Sequence, residues 1–167
     1  MLSDSIVQLI NRQINREFYS SNLYLQMSAW CEYKGLPGSA SFLKEHADEE
    51  LAHGRKLFDY LHEAGGLPVL GAVEAPPTEF ESLAQVFEKT YEHERFITAS
   101  INELVGAALE EKDFSTFQFL QWYVSEQHEE EKLFRSILDK ASLIGTEGRS
   151  LYFLDKEIRK FARPSGT

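Results

Sequence analysis

Two copies of one spacing run through this chain and constrain its fold more than any other feature. Glu17 precedes Glu50 by 33 residues, and Glu94 precedes Gln127 by the same 33. In both copies another polar side chain follows the second member after three residues. Residues at i and i+3 lie on one face of a helix. Each half of the chain is therefore predicted to place a carboxylate on one helix and a polar pair on the next.

Helical periodicity predicts five helices separated by glycine- and proline-containing segments. They are expected over residues 3–33, 39–65, 81–112, 115–144 and 149–162. Ser39 is the predicted N-cap of the second helix. Gly54 and Gly106, inside helices, are predicted to allow close helix approach.

The helix connections predict the topology. Short connections make helices one and two antiparallel, and likewise helices three and four. The stretch from Leu67 to about Phe80 is long enough to run the length of a bundle, which would make helices two and three parallel. The sequence thus predicts an all-α fold, a four-helix bundle with a long crossover between helices two and three and a short fifth C-terminal helix. We expect a single domain over 1–167, with the bundle at about 3–144.

Each of the four long helices has an apolar seam that is interrupted by polar residues near its midpoint. The predicted midpoints fall near residues 18, 52, 97 and 130. In a bundle of helices of similar length, the midpoints meet at one level. The interrupting groups are therefore predicted to converge: Glu17, Glu50, His53, Glu94, Gln127 and Glu130.

Surface acids and a buried ion-pair network are the two structural alternatives. A network needs cations, and no lysine or arginine occupies these seams near the midpoints. Buried carboxylates without a positive charge would repel one another and lose their hydration. A pair of divalent metal ions would neutralise them, so the sequence favours a two-metal site.

Composition excludes several classes of protein. The net charge is −10, from 27 acidic and 17 basic residues, which argues against a nucleic-acid surface. Cys31 is the only cysteine, so neither an intrachain disulfide nor a multi-cysteine metal cage can form. No signal peptide and no apolar run of membrane-spanning length is evident. A cytoplasmic protein without a membrane partner is expected.

The motifs identify a resemblance to the non-haem bacterial ferritins over essentially the whole chain. Ferritin-like di-iron proteins use a glutamate from each of two helices and Glu-x-x-His motifs from the other two. Glu50-Leu51-Ala52-His53 keeps that motif, whereas the second copy reads Gln127-His128-Glu129-Glu130, as in ferritins with an asymmetric centre. Bacterioferritins have a haem-ligating methionine at the position of Leu51, so the resemblance implies no haem.

The same resemblance implies a di-iron ferroxidase centre and its ligands. One iron would be held by Glu17, Glu50 and His53, and the second by Glu50, Glu94 and Glu130, with Gln127 near the oxygen-binding face.

Four further residues have roles implied by the resemblance. Tyr24 matches a tyrosine that hydrogen-bonds a ligand and can supply an electron, although a core aromatic is the alternative. Glu49, Glu126 and Glu129 match a third iron site, and the alternative for them is a solvated acidic face. His46, one turn before Glu50, is interpreted as a core histidine, and a residue beside the metal ligands is the alternative.

The resemblance implies an iron-storage ferritin with ferroxidase activity. It would oxidise Fe(II) to Fe(III) with dioxygen or hydrogen peroxide and store a ferric mineral in a homo-oligomeric cage of twenty-four subunits. The alternative from another class is a di-iron redox enzyme, such as a peroxidase or oxygenase, that works as a small oligomer and stores nothing. A catalytically silent shell subunit is disfavoured because the ligand set is complete.

Overall fold

The computed structural model describes residues 2–162, and its regular structure there is five helices. They are α1 (Asp4–Tyr33), α2 (Pro37–Glu63), α3 (Leu83–Glu110), α4 (Phe114–Ile144) and α5 (Gly148–Arg159). Helices α1 and α2 pack together, as do α3 and α4, while α5 lies against α2 and α4. This all-α bundle with a crossover and a short C-terminal helix confirms the predicted fold class. No helix within the described residues has the length and apolar character needed to cross a membrane.

Polar caps begin three of the long helices. Ser3 accepts a hydrogen bond from the Ile6 amide at the start of α1, at 3.2 Å. Ser82 and Asp113 cap α3 and α4 in the same way, as expected for short polar side chains that satisfy free N–H groups of a first turn.

The start of α2 differs from the prediction, and Ser39 is not its N-cap. The helix begins at Pro37, and Ser39 lies fully buried inside its first turn. A carboxylate from α5 takes the place of a local cap: Asp155 Oδ1 accepts from the Ser39 amide and hydroxyl, both at 2.7 Å, and Oδ2 accepts from the Gly38 amide at 2.9 Å. The free N–H groups of α2 are thus satisfied by a residue 116 positions away in the chain.

The crossover between α2 and α3 runs along the outside of α1. Asn11 exchanges hydrogen bonds with the backbone of Leu67 and Val69, and Asn15 Oδ1 accepts from the Gly71 amide at 2.9 Å. At the far end, the ring of Phe80 packs against Trp30 at a centroid distance of 5.7 Å.

The positions of these contacts define the helix directions. Asn11 and Trp30 are 19 residues apart on α1, which corresponds to about 28 Å of helix. The crossover therefore brings the chain back to the end of the bundle where α2 began. Helices α2 and α3 are parallel, as predicted.

The apolar core consists of two clusters with a polar layer between them. One cluster, at the end where α2 and α3 begin, includes Phe42, Phe87 and Phe134. The other, towards the opposite end, includes Ile10, Leu57 and other fully buried aliphatic residues. The side chains of the polar layer between the two clusters are themselves buried.

One helix-interior glycine sets the distance between α1 and α2. A Cβ atom at Gly54 would lie 2.6 Å from Cε1 of Phe18 and 3.3 Å from Cβ of Glu17, so glycine is required for this approach. The prediction for Gly54 is confirmed. The same prediction for Gly106 is wrong, because nothing lies within 4 Å of the position a Cβ would take there.

Candidate metal centre

Six polar residues predicted to converge are all buried in the layer between the two apolar clusters. None has more than 6% of its surface exposed: Glu17, Glu50, His53, Glu94, Gln127 and Glu130. Their surroundings leave little water to solvate charge, so each needs a partner within the protein or a bound cation.

The α1–α2 half of the layer brings three potential metal donors together. One ligand atom from each of Glu17, Glu50 and His53 lies within 4.8 Å of the other two. His53 Nδ1 is 3.4 Å from Glu50 Oε2, and the hydroxyl of Tyr123 donates to the backbone carbonyl of His53 at 2.7 Å. Helix α2 supplies two of these donors because Glu50 and His53 are one turn apart.

The α3–α4 half is organised around Glu94. Gln127 Nε2 donates to Glu94 Oε2 at 2.9 Å, and the hydroxyl of Tyr24 donates to Glu94 Oε1. Tyr24 is therefore buried against a candidate ligand rather than being only a core aromatic. Its pKa is raised well above the usual value by burial and then by the charge of Glu94, so the phenol keeps its proton.

The carboxyl groups of the layer interact with one another across the bundle. Burial raises the pKa of Glu17, and repulsion from Glu50 adds to the effect. Burial also raises the pKa of Glu50, and repulsion from Glu94 raises it further. The pKa of Glu94 rises to about 7, again through burial first and then the charge of Glu130. Each of these carboxyl groups therefore holds its proton to a higher pH than an exposed glutamate does, and a bound cation would compete with that proton.

Two buried carboxylate oxygens are available to bind a cation. Glu17 Oε2 and Glu50 Oε1 are buried, and no hydrogen-bond donor among the described residues reaches either one. The charged groups that act on Glu17, Glu50 and Glu94 are other acids and His53, with no lysine or arginine among them. Oxygen donors with one imidazole are suited to ferrous, ferric and similar first-row metal ions.

A second group of donors lies beside the first. His46, Glu49 and Glu130 each place a ligand atom within 4.8 Å of the others, and His46 Nε2 is 3.3 Å from Glu130 Oε2. The other ring nitrogen, Nδ1, lies 3.3 Å from the Phe42 carbonyl. When Nδ1–H donates to that carbonyl, Nε2 is the atom that faces Glu130: in the protonated ring it donates to the carboxylate, and in the neutral ring its lone pair is available to a cation.

His46 is the residue for which sequence reasoning preferred the core role to a place beside the ligands. It is buried, as a core histidine would be, but it contacts the candidate centre. Burial lowers the pKa of His46, but the contact with Glu130, the charge of Glu49 and the hydrogen bond to the Phe42 carbonyl together outweigh burial and raise it. The signal in the sequence was its place on the seam, one turn before Glu50.

The three residues predicted for a third iron site are not all brought together. Glu49 is part of the group around His46, while Glu126 is half-buried and Glu129 is exposed on α4. Within residues 2–162, neither of these two α4 residues joins a group of three donors within 4.8 Å.

Comparison with known proteins identifies the family. The ferritin-like domain model matches residues 7–144. The chain is 61% identical over 158 residues to a probable bacterial non-haem ferritin-like protein of Haemophilus influenzae, covering 95% of this chain and 96% of that one. It is 56% identical over 162 residues to the bacterial non-haem ferritin of Campylobacter jejuni, covering 97% of both. The chain belongs to the non-haem bacterial ferritins.

Solved structures of ferritins superpose closely on this family member. An open-pore ferritin from Archaeoglobus fulgidus gives a TM-score of 0.92 at 47% identity, covering 95% of this chain and 96% of that one. The ferritin of Chlorobium tepidum gives 0.86 at 53% identity, covering 96% and 98%. The similarity extends over the four-helix bundle and the short C-terminal helix.

Proposed function

We propose that this protein stores iron: it oxidises Fe(II) to Fe(III) at a di-iron ferroxidase centre and keeps the product as a ferric mineral inside a cytoplasmic cage of twenty-four copies. The observation that carries the proposal is the buried layer of carboxylates from four helices, in which Glu17 Oε2 and Glu50 Oε1 have no donor among the described residues and neither lysine nor arginine is among the groups that act on Glu17, Glu50 and Glu94. Membership of the ferritin family supports both the iron chemistry and the cage.

In this proposal, the two halves of the layer each bind one ferrous ion as substrate. Glu17, Glu50 and His53 hold the first ion. Glu94 and Glu130 hold the second, with Glu50 bridging the two. Carboxylates stabilise the harder ferric product more than the ferrous substrate, which favours loss of an electron from each iron.

Dioxygen or hydrogen peroxide receives the two electrons. With dioxygen, two Fe(II) ions lose one electron each and the oxidant takes up both electrons with two protons to become hydrogen peroxide. Hydrolysis of the ferric product then releases protons to solvent. Gln127 and Tyr24 flank Glu94, so they are the residues proposed to border the oxidant. Tyr24 would supply an electron when dioxygen is reduced to two waters: three Fe(II) ions and the phenol then give the four electrons, and the phenol proton passes to Glu94.

The asymmetry of the two halves suits turnover of iron. The first position has an imidazole, whereas Gln127 stands where the second motif of other di-iron proteins has a ligand glutamate. The second position has no imidazole donor, and it is proposed to bind iron more weakly than the first. Oxidised iron is therefore expected to leave for the mineral instead of remaining as a permanent cofactor.

Aerobic titration with Fe(II) tests storage against the alternative of a di-iron redox enzyme. The purified apo protein should oxidise Fe(II) repeatedly and retain iron in large excess over three ions per chain, because mineral growth is not limited by the number of binding sites. Iron retained per particle is measured after gel filtration, together with particle size. A dimer that retains only two or three irons per chain would contradict the storage proposal.

The proposed third iron site comprises Glu49, Glu126 and Glu129. Glu49 is supported because its carboxylate lies within 4.8 Å of ligand atoms on His46 and Glu130. Replacing all three glutamates with alanine should preserve the first rapid two-iron oxidation but change the oxygen consumed per iron. Stopped-flow absorbance and an oxygen electrode measure the two quantities.

A matched control removes three exposed acids of α3, Glu88, Glu92 and Glu110, and should leave both quantities unchanged. Loss of the initial oxidation in the first triple variant would assign those acids to the primary centre. No change in the oxygen-to-iron ratio would assign them to a solvated face.

A further inference from the structure

A chain of hydrogen bonds leads from the outer surface of the bundle to the candidate ligand Glu17. Arg16 Nη1 donates to Ser100 Oγ, and Ser100 Oγ donates to Gln13 Oε1. Gln13 Nε2 then donates to Glu17 Oε1 at 2.7 Å. The chain joins α1 to α3 and ends on the carboxylate.

The chemistry of its members fixes the direction of every hydrogen bond. A guanidinium has only donors, so the Ser100 hydroxyl accepts from Arg16 and must direct its own proton elsewhere. That proton goes to the carbonyl oxygen of Gln13, which leaves the amide nitrogen facing Glu17. The flipped amide would place the carbonyl oxygen of Gln13 against Glu17 Oε1 and would remove the acceptor of the Ser100 hydroxyl proton, so an ionised Glu17 favours the order described here.

The outer end of the chain has a permanent charge. Arg16 is half-buried, with its guanidinium 4.9 Å above the Phe96 ring, and it borders a surface pocket of about 370 Å³ beneath the crossover. The inner members are enclosed, since Gln13 is 2% exposed and Ser100 is 6% exposed. The hydrogen bonds of the inner pair are therefore shielded from competition by water.

The two oxygens of Glu17 consequently have different surroundings. Oε1 is held by the Gln13 amide, whereas no donor among the described residues reaches Oε2. We propose that Arg16, Ser100 and Gln13 are positioning residues that hold Glu17 so that Oε2 alone is presented to the metal. This inference rests on the proposed function, because it assumes that Glu17 binds a metal ion.

A positioning role differs from a purely structural one in what each variant changes. If the chain only satisfies buried polar atoms, removing Ser100 lowers stability and leaves metal affinity unaltered. If it positions Glu17, removing Ser100 lets the Gln13 amide rotate, and the carboxylate loses its fixed orientation. Partners that orient a ligand usually contribute about 10- to 100-fold in metal affinity or activity.

Binding of zinc alone to the apo protein, measured by calorimetry, tests the inference without any oxidation step. We expect Ser100→Ala to weaken zinc binding about tenfold and Gln13→Leu to weaken it by about 10- to 100-fold. Ser100→Thr keeps the hydroxyl and should retain an affinity close to that of the wild type. In Fe(II) oxidation, Ser100→Ala should raise KM more than it lowers kcat.

Ser21→Ala is the matched control. Ser21 is also a buried serine of the bundle, but its hydroxyl donates to the Ala47 carbonyl and has no link to Glu17. This variant should bind zinc as the wild type does. Equal zinc affinity in Ser100→Ala, Ser21→Ala and the wild type would overturn the positioning role. A wild-type protein that binds no zinc would instead overturn the proposed metal centre, so the two failures are distinguishable.

Discussion

Replacing both His53 and Glu130 with alanine is expected to slow rapid Fe(II) oxidation by about 100-fold or more, since loss of an outer partner alone costs up to that factor. His53 supplies the imidazole of the group that also contains Glu17 and Glu50. Glu130, on α4, is a carboxylate whose charge repels those of Glu94 and Glu50. The double variant removes a donor from each half, so neither iron is held for oxidation. Stopped-flow absorbance of the ferric product measures the rate.

The fold and assembly of this variant should be intact. Glu130 is one of the buried charges that repel Glu94, and its removal relieves that repulsion in the apo protein. The matched control removes an exposed histidine and glutamate of α2, His62 and Glu63, and should oxidise Fe(II) normally. A double variant that still oxidises iron rapidly would locate the centre elsewhere, and one that unfolds would indicate a structural network.

Replacing Glu94 with glutamine is expected to stabilise the metal-free protein at pH 8 but not at pH 5. The pKa of Glu94 is about 7 in the folded protein, against 4.5 for an ordinary exposed glutamate. A group whose pKa is raised by folding contributes stability at low pH that is lost as the pH rises through the folded pKa. The loss is about 3 kcal/mol per subunit for a shift of this size. For a chain of this length it corresponds to roughly 6 to 12 °C in Tm.

Differential scanning calorimetry in the presence of a chelator, at pH 5 and pH 8, measures this effect. Burial lowers the pKa of His93 to about 4, which opposes the trend below pH 6.5, but that contribution is common to both proteins and cancels in their difference. Glu92→Gln, an exposed change on the same helix, should show no such dependence on pH. A Tm difference between Glu94→Gln and the wild type that is the same at both pH values would contradict the assignment of the titration to Glu94.

Zinc should reverse the pH dependence of the Tm in the wild type. A divalent ion competes with the protons of the layer and binds the folded state, so it should raise the Tm more at pH 8 than at pH 5, because fewer protons compete with it at pH 8. Glu94→Gln should gain less from zinc than the wild type gains.

Local sequence determined much of this fold. The seams and their interruptions near residues 18, 52, 97 and 130 predicted four helices, and the helices have their centres close to those positions. Because a helix has a fixed rise per residue, equal-length helices placed side by side must bring their centres to one level. The convergence of Glu17, Glu50, His53, Glu94, Gln127 and Glu130 was therefore predictable from spacing.

Contacts between residues far apart in the chain were not predictable in this way. Ser39 is a residue type that is common at N-caps, but the carboxylate of Asp155 accepts the hydrogen bonds at the start of α2. No local sequence pattern encodes a partner 116 residues away. Gly54 and Gly106 are alike in sequence, yet only Gly54 faces a neighbouring helix at close range. The two glycines differ because Gly54 lies on the side of α2 that packs against α1, whereas Gly106 lies on a side of α3 with no neighbour within 4 Å.

The sequence by itself determined the helices, their directions and the donors that meet at mid-bundle, because these follow from periodicity and loop length. Only the tertiary structure decided how those donors are held. It turned His46 towards Glu130 and linked Arg16 on the surface to Glu17 through Ser100 and Gln13. Such arrangements depend on rotamers and distances between packed helices, to a fraction of an ångström, and spacing along a chain does not specify them.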